Sequence, residues 1–544
     1  LELAAAWTRV LSCEEIAAQL REGTHLLQAS HAGQGARHAS MEVVFEQSWR
    51  LLSTAECDAL ARVSVFHGGF TVEAAKAVAQ ASLPLLGALV DRSLLRREGS
   101  RLQMHPLVQH MAAARLAESA THAEAHRAHA AYYHRLMAQV RHGVEDGTRE
   151  ALDRMDGEYR NCVAAWRWAL EDGMTEALGR STPALLHFCD HRLRLSEGLA
   201  LLREALDSDA SRRDPRLAAM LLASAAHLEY RLDCYVDAES NATRALATAD
   251  AADHSTRLLC LKVLGGCGLW TGNLEQARGH YRQALREADP SSAAGLLDNL
   301  ALVEKSLGHY DEALRLSRRS LDHHRRLGDA AGEALCLNNL GILLMTMRDW
   351  DSARVHLLEG LAAAGRHGIT NSRALILTNL TEAELEAGDT DAAEAYALEA
   401  LALAHASGQR SVTGYLRVKA SEIALRRRDL TAARAELATA LEIARAIARP
   451  EAQFGGVMQF AEILVAQGEP GSARRVLAFV ASHASAGAPE RELASARMAG
   501  LPAGDASWPD LTLESLVHRI VLETESGYAR LVAALREPDA APRR

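Results

Sequence analysis

The feature that most constrains this chain is a row of small residues that returns about every 40 positions. Gly198, Ala238, Ala277, Ala313, Ala353, Ala393, Ala433 and Ala473 are separated by 40, 39, 36, 40, 40, 40 and 40 residues. Seven positions after each stands a second residue, Ala205, Ala245, Ala284, Ser320, Gly360, Ala400, Ala440 and Val480, followed by Leu in every case but the last. Seven residues are two helical turns, so both rows lie on one helix face. Thirteen positions before the small row, from Ala277 onward, runs a larger one: Leu264, Leu300, Leu340, Leu380, Ala420 and Phe460. Five positions before the small row stands a turn: Gly272-Asn273, Gly308-His309, Arg348-Asp349, Gly388-Asp389, Arg428-Asp429 and Gly468-Glu469. Glycine takes the left-handed conformation that ends a helix, and Asp or Asn starts the next one. Each unit therefore reads helix, tight turn, helix.

Such a two-helix unit cannot bury its apolar face alone. Its small residues let the neighbouring helix come close, and stacking becomes obligatory. The expectation is an all-α chain, an α-solenoid with a period of about 40 residues over 191–482. Composition agrees, being 48% hydrophobic but only 4% aromatic, with 12 prolines in 544 residues. Asn339-Leu340-Gly341 with Trp350 and Ala353, and Asn299-Leu300-Ala301 with Tyr310 and Ala313, resemble tetratricopeptide (TPR) motifs. Ordinary TPR units have about 34 residues, so the extra length adds most of a turn to each helix. Tyr159 to Leu170 continues the register in degenerate form, which makes 119–190 a helical linker with the first repeats. Residues 483–535 read as a helical cap and 536–544 as a disordered tail.

The front of the chain has another texture. Helices are expected over 41–51, 54–62, 71–80 and 83–91, with Ser53 and Thr71 as N-caps. Leu94 to Arg97, a Gly99-Ser100 turn and Arg101 to Met104 read as a small β-ribbon. Helices followed by such a ribbon describe a winged-helix domain over 41–118, preceded by a linker over 29–40.

Leu1-Glu-Leu-Ala-Ala-Ala, Ser40 to Trp49, Leu60 to Phe70, Leu85 to Leu94 and Met104-His-Pro-Leu-Val108 together resemble the bacterial STAND regulators. These carry an NB-ARC type nucleotide-binding module followed by a repeat sensor. The resemblance implies that residues 1–28 end the small helical domain of that module, that the chain begins inside a longer protein, and that ADP or ATP belongs to the parent. It also implies a nucleotide-sensing role for His105, the histidine of a Met-His-Asp-like signature that touches the β-phosphate of ADP. Pro106 stands where that family often has Asp. The alternative is that His105 simply caps the last helix, with Pro106 at its first position.

Several chemistries are excluded or disfavoured. No G-x-x-x-x-G-K-[ST] occurs, and Gly265 to Gly272 lacks the lysine, so no phosphate cradle, no catalytic residue and no cofactor are expected here. A net charge of -10 argues against nucleic-acid contact, leaving Arg96, Arg97 and Arg101 as its only support. The 8 cysteines form no C-x-x-C pair, and no metal site is expected, although His122, His126, His129 and His134 share a helical stretch. Glu145-Asp146 and Asp153 with Asp156 read as solvated faces. No apolar run is long enough to span a membrane, and a cytoplasmic protein is expected.

The expected activity is binding of a protein or peptide partner. In TPR register the concave face would carry Asp298, Lys305 and Ser306, then Asn338, Met345 and Thr346, then Thr378, Glu382 and Glu386, then Glu422 and Arg426. Asn299, Asn339 and Asn379 read as part of the repeat consensus. The function expected is the regulatory part of a STAND-type signalling ATPase, a transcription regulator. The alternative is a free-standing TPR scaffold whose front domain is only a cap.

Overall fold

The computed structural model describes residues 45–366, 370–406, 409–446, 450–502, 512–522, 531–533 and 535. The expectations for 1–28, 29–40 and 536–544 lie outside them. The chain divides into two compact units, Leu1–Glu287 and Ala288–Arg544.

The first unit opens with helical residues 45–50, within the helix expected over 41–51, followed by α1 (Thr54–Val63), α2 (Val72–Ala79) and α3 (Leu83–Asp91). Ser53 starts α1 with a reciprocal pair: its hydroxyl accepts from the Glu56 amide at 3.3 Å, and its own amide donates to Glu56 Oε2 at 2.7 Å. Thr71 starts α2 by accepting from the Ala74 amide. Then β1 (Leu95–Glu98) pairs antiparallel with β2 (Arg101–Met104), joined through Gly99 at φ +58°. The segment before α2 adds an isolated bridge, Phe70 against Leu102. Next, α4 (Pro106–Ala117) begins at His105, whose Nδ1 accepts from the Leu107 amide at 3.3 Å. His105 is thus an exposed N-cap, with Pro106 at the position where a missing N–H costs nothing.

Helices α5 (His122–Glu145) and α6 (Arg149–Glu171) form a long hairpin. After it come α7 (Thr175–His191), α8 (Leu195–Leu206), the short α9 (Asp209–Arg213), α10 (Pro215–Arg231), α11 (Tyr235–Thr248), α12 (His254–Thr271) and α13 (Leu274–Glu287). One continuous apolar cluster runs from Phe45 through Leu60, Phe70, Leu89, Leu116, Tyr133, Trp166 and Phe188 to Leu228. The front helices and the first hairpins therefore share a core.

The second unit stacks hairpins: α14 (Pro290–Ser306) with α15 (Tyr310–Leu327), α16 (Ala330–Thr346) with α17 (Trp350–Arg366), and α18 (Thr370–Ala387) with α19 (Thr390–Ala406). Next come α20 (Arg410–Arg426) with α21 (Leu430–Ala446), and α22 (Pro450–Ala466) with α23 (Pro470–Ser482). After these, α24 (Ala488–Ala499) and α25 (Leu513–Leu522) close the end. Leu516 and Val517 are buried in one cluster with Phe454 and Phe460.

The fold is the expected α-solenoid of TPR-like hairpins. The small row from Ala238 to Ala473 is fully buried. Close approach is its reason: at Gly198, the first member of the row, a Cβ would come within 2.8 Å of the Cys189 side chain. The turn row is left-handed at all six expected positions, with φ +84° at Gly272, +79° at Gly308, +62° at Arg348, +87° at Gly388, +62° at Arg428 and +81° at Gly468. Leu193 and Asp233 adopt the same conformation in the same register.

Candidate partner-binding face

In the second unit the first helices α14, α16, α18, α20 and α22 pack side by side along the stack, each against the next. From α14 to α20 they repeat one burial pattern. From Gly295 to Ser306 and at the matching positions, four levels are accessible in all four helices, at i, i+4, i+7 and i+11, which is a single stripe along a helix; α20 is looser, with Arg417, Val418 and Ala420 half-buried as well. The outermost level carries Gly295, Leu335, Leu375 and Tyr415; the next Asn299, Asn339, Asn379 and Lys419; then Leu302, Ile342, Glu382 and Glu422; and finally Ser306, Thr346, Glu386 and Arg426. Leu335 and Leu375 are large apolar side chains left 45% and 39% exposed.

This corrects the sequence-based face in one row. Asp298, Asn338 and Thr378 are buried, not displayed. They lie one residue, or 100° of helix rotation, from the accessible Asn299, Asn339 and Asn379. Asp298 turns toward its own hairpin partner, where its Oδ2 lies 3.1 Å from His324 Nε2. Thr378 donates to the Ala374 carbonyl. Asn338 Oδ1 accepts from Asn379 Nδ2 at 2.7 Å, a bond between consecutive repeats. Lys305, Met345, Glu382 and Glu422 are half-buried and Glu386 and Arg426 exposed, all on or beside the stripe. Leu302, Leu335, Ile342, Leu375, Tyr415 and Lys419 were not anticipated.

The stripe changes character along the stack. Across α14 and α16 it is apolar and amide-bearing. Across α18 and α20 it is a knot of charge: Tyr415 Oη donates to Glu382 Oε2 at 2.7 Å, and Lys419 Nζ lies 3.7 Å from Glu382 and 3.4 Å from Glu422. Arg426 pairs with Glu422 at 2.9 Å and also donates to the Leu385 carbonyl. Lys419 sits 5.5 Å from the centre of the Tyr415 ring. Loss of water around the hydroxyl first, and the Glu382 carboxylate second, push the phenol of Tyr415, a residue 41% exposed, well above its usual range, so it stays a neutral donor. Burial draws the Lys305 ammonium downward.

The histidines of the first unit diverge. His126 stacks on Trp168 at 4.4 Å between ring centres, His129 lies 3.4 Å from Asn161 Oδ1, and His134 lies 2.7 Å from the Ser181 hydroxyl. No group of three or more metal-binding side chains converges among the described residues, and the described cysteines are unpaired. None of the described helices is long and apolar enough to cross a membrane.

A tetratricopeptide repeat model matches residues 292–366, the part of the chain containing α14 to α17. An HTH-type transcriptional regulator of Mycobacterium tuberculosis is 27% identical over 303 residues, 52% of this chain and 34% of the regulator, and one of Mycobacterium bovis matches equally. The aligned part thus spans about a third of the length of these relatives. Among solved structures, the Signal Transduction ATPase with Numerous Domains (STAND) protein with a tetratricopeptide repeat sensor from Pyrococcus horikoshii is similar over 92% of this chain and 72% of its own. The TM-score is 0.60 and the identity 15%. That likeness supports the fold.

Proposed function

We propose that this chain is the sensor part of a STAND-type regulator, and that the stripe on α14, α16, α18 and α20 takes an extended segment of a protein or peptide partner. The observation that carries this reading is the stripe itself. Asn299, Asn339 and Asn379 offer amide donors and acceptors that can meet a backbone, while Leu302, Leu335, Ile342 and Leu375 offer apolar contact between them. Partner binding would bias a switch only by favouring one of its states. In this reading α1 to α4 with the β-ribbon form a winged helix. It connects the repeats to an upstream nucleotide module, and His105 at its exposed helix start is the group placed toward phosphate. The chain itself would perform no catalysis and the parent would bind ATP or ADP. The names of the two groups of similar proteins, a STAND ATPase with a repeat sensor and HTH-type regulators, support a signalling and transcriptional context.

The test is comparative affinity capture with the full chain. Leu375→Glu alters the stripe, while Leu398→Glu, at a side chain 63% exposed on α19, alters a second helix. A partner retained by the wild type and by Leu398→Glu but lost with Leu375→Glu supports the reading. Equal retention by both variants refutes it.

A further inference from the structure

Between the hairpins α7–α8 and α10–α11 lies a cleft of about 540 Å³, within the range of small-molecule sites. Its cause is a break in the repeat. Helix α8 ends at Leu206, eight residues after Gly198, whereas α17 runs to Arg366, thirteen after Ala353. The chain then turns into the short α9 instead of adding another turn, and the flank of α11 is left uncovered.

The floor is apolar, with Leu222 buried and Leu206 and Ala218 half-buried. One charged side chain is built into it: Glu229, 1% exposed, accepts from Arg203 Nη2 at 3.0 Å and from Asn241 Nδ2 at 2.8 Å. Asn241 Oδ1 in turn accepts from Arg244 Nη1 at 3.1 Å. Glu229 is therefore matched by Arg203, and Arg212 is matched by Asp209 at 2.9 Å. Arg244 faces no carboxylate, and the Asp207 and Asp237 carboxylates face no cation, among the described residues. The lining carries three guanidiniums and three carboxylates, so a ligand with one anionic and one cationic group keeps the cleft balanced, whereas a dianion does not.

The spacing defines its length. Asp237, Asn241 and Arg244 lie at i, i+4 and i+7, on one face of α11, and seven residues of helix span about 10 Å. An extended chain of three residues spans about the same distance. We propose that this cleft binds a zwitterionic tripeptide-sized ligand, its carboxylate on Arg244, its ammonium on Asp237 and a small side chain against Leu222. The site is separate from the partner-binding stripe and does not depend on it.

Trialanine titrated into the full chain in a calorimeter tests this. Saturable binding is expected, weakened at least about tenfold by N-acetylation, by C-terminal amidation, and by Arg244→Gln, since each removes a charge-assisted bond. The blocked peptides use unaltered protein, so misfolding of the variant cannot mimic the result. Absence of saturable binding, equal binding of blocked and free peptides, or stronger binding of inorganic phosphate would overturn the proposal. So would binding that Leu375→Glu abolishes and Arg244→Gln leaves intact.

Discussion

At the residue scale, buried histidines of the two units contribute to pH dependence with opposite sign. In the first, burial pushes the His129 imidazole down to about 3 and those of His134 and His126 to about 4. A histidine depressed in the folded state stays neutral there while its unfolded form binds a proton, so stability falls as pH drops below about 6.5. In the second unit burial lowers the His324 pKa, but bonds to Asp298 and to Asp329 outweigh it and hold the imidazolium above the ordinary 6.5. That contribution is complete below about 6.5 and is lost as pH rises through the raised value. Hydrogen exchange, corrected for its intrinsic pH dependence, should show α5 and α6 opening more readily at pH 5 than at pH 7. A His324→Gln variant should lose the destabilisation of α14–α16 between pH 7 and pH 9 that the wild type shows. Neither histidine environment was legible in the sequence: His129 depends on Asn161, 32 positions away, and His324 on Asp298, 26 positions away.

At the element scale the repeat was legible because its signals are local and periodic. A small residue every 40 positions, with a turn five before it, fixes both helices of a hairpin whatever partner they meet. Ala353→Leu should therefore lower stability by about 1–3 kcal/mol through overpacking, read as a shifted denaturant midpoint. The face was less legible, because a one-residue error in register rotates a side chain by 100° and exchanges Asn339 for Asn338. The joint between the front domain and α6 had no sequence signal at all. Asn161, fully buried, accepts from the His67 amide at 2.6 Å and donates to the Gly69 carbonyl at 2.9 Å and to Glu158 at 3.0 Å. Arg101 of the ribbon donates to the same Gly69 carbonyl and pairs with Glu158. Gly68 and Gly69 have φ +79° and +89°, and a Cβ on Gly69 would lie 3.0 Å from the Leu102 carbonyl. Glycine is thus required where the backbone passes under Asn161. Removing the amide with Asn161→Ala leaves buried groups unpaired, and should cost about 2–4 kcal/mol and speed exchange of the His67 to Phe70 amides.

At the scale of the whole molecule, the proposed function rests on a stripe repeated on four alternate helices, α14, α16, α18 and α20, a surface that would suit an elongated partner. Repeat proteins build such surfaces from units that each contribute little. Leu335 and Leu375 stand 45% and 39% exposed on it. The most direct test is site-specific photo-crosslinking in the full chain, with a benzophenone side chain at Asn339 or Asn379 on the stripe, or at Val355 or Leu398 on second helices. Covalent capture of the same partner from 339 and 379, and none from 355 and 398, is the predicted result. Capture from 355 and 398 with none from 339 and 379 would contradict the account.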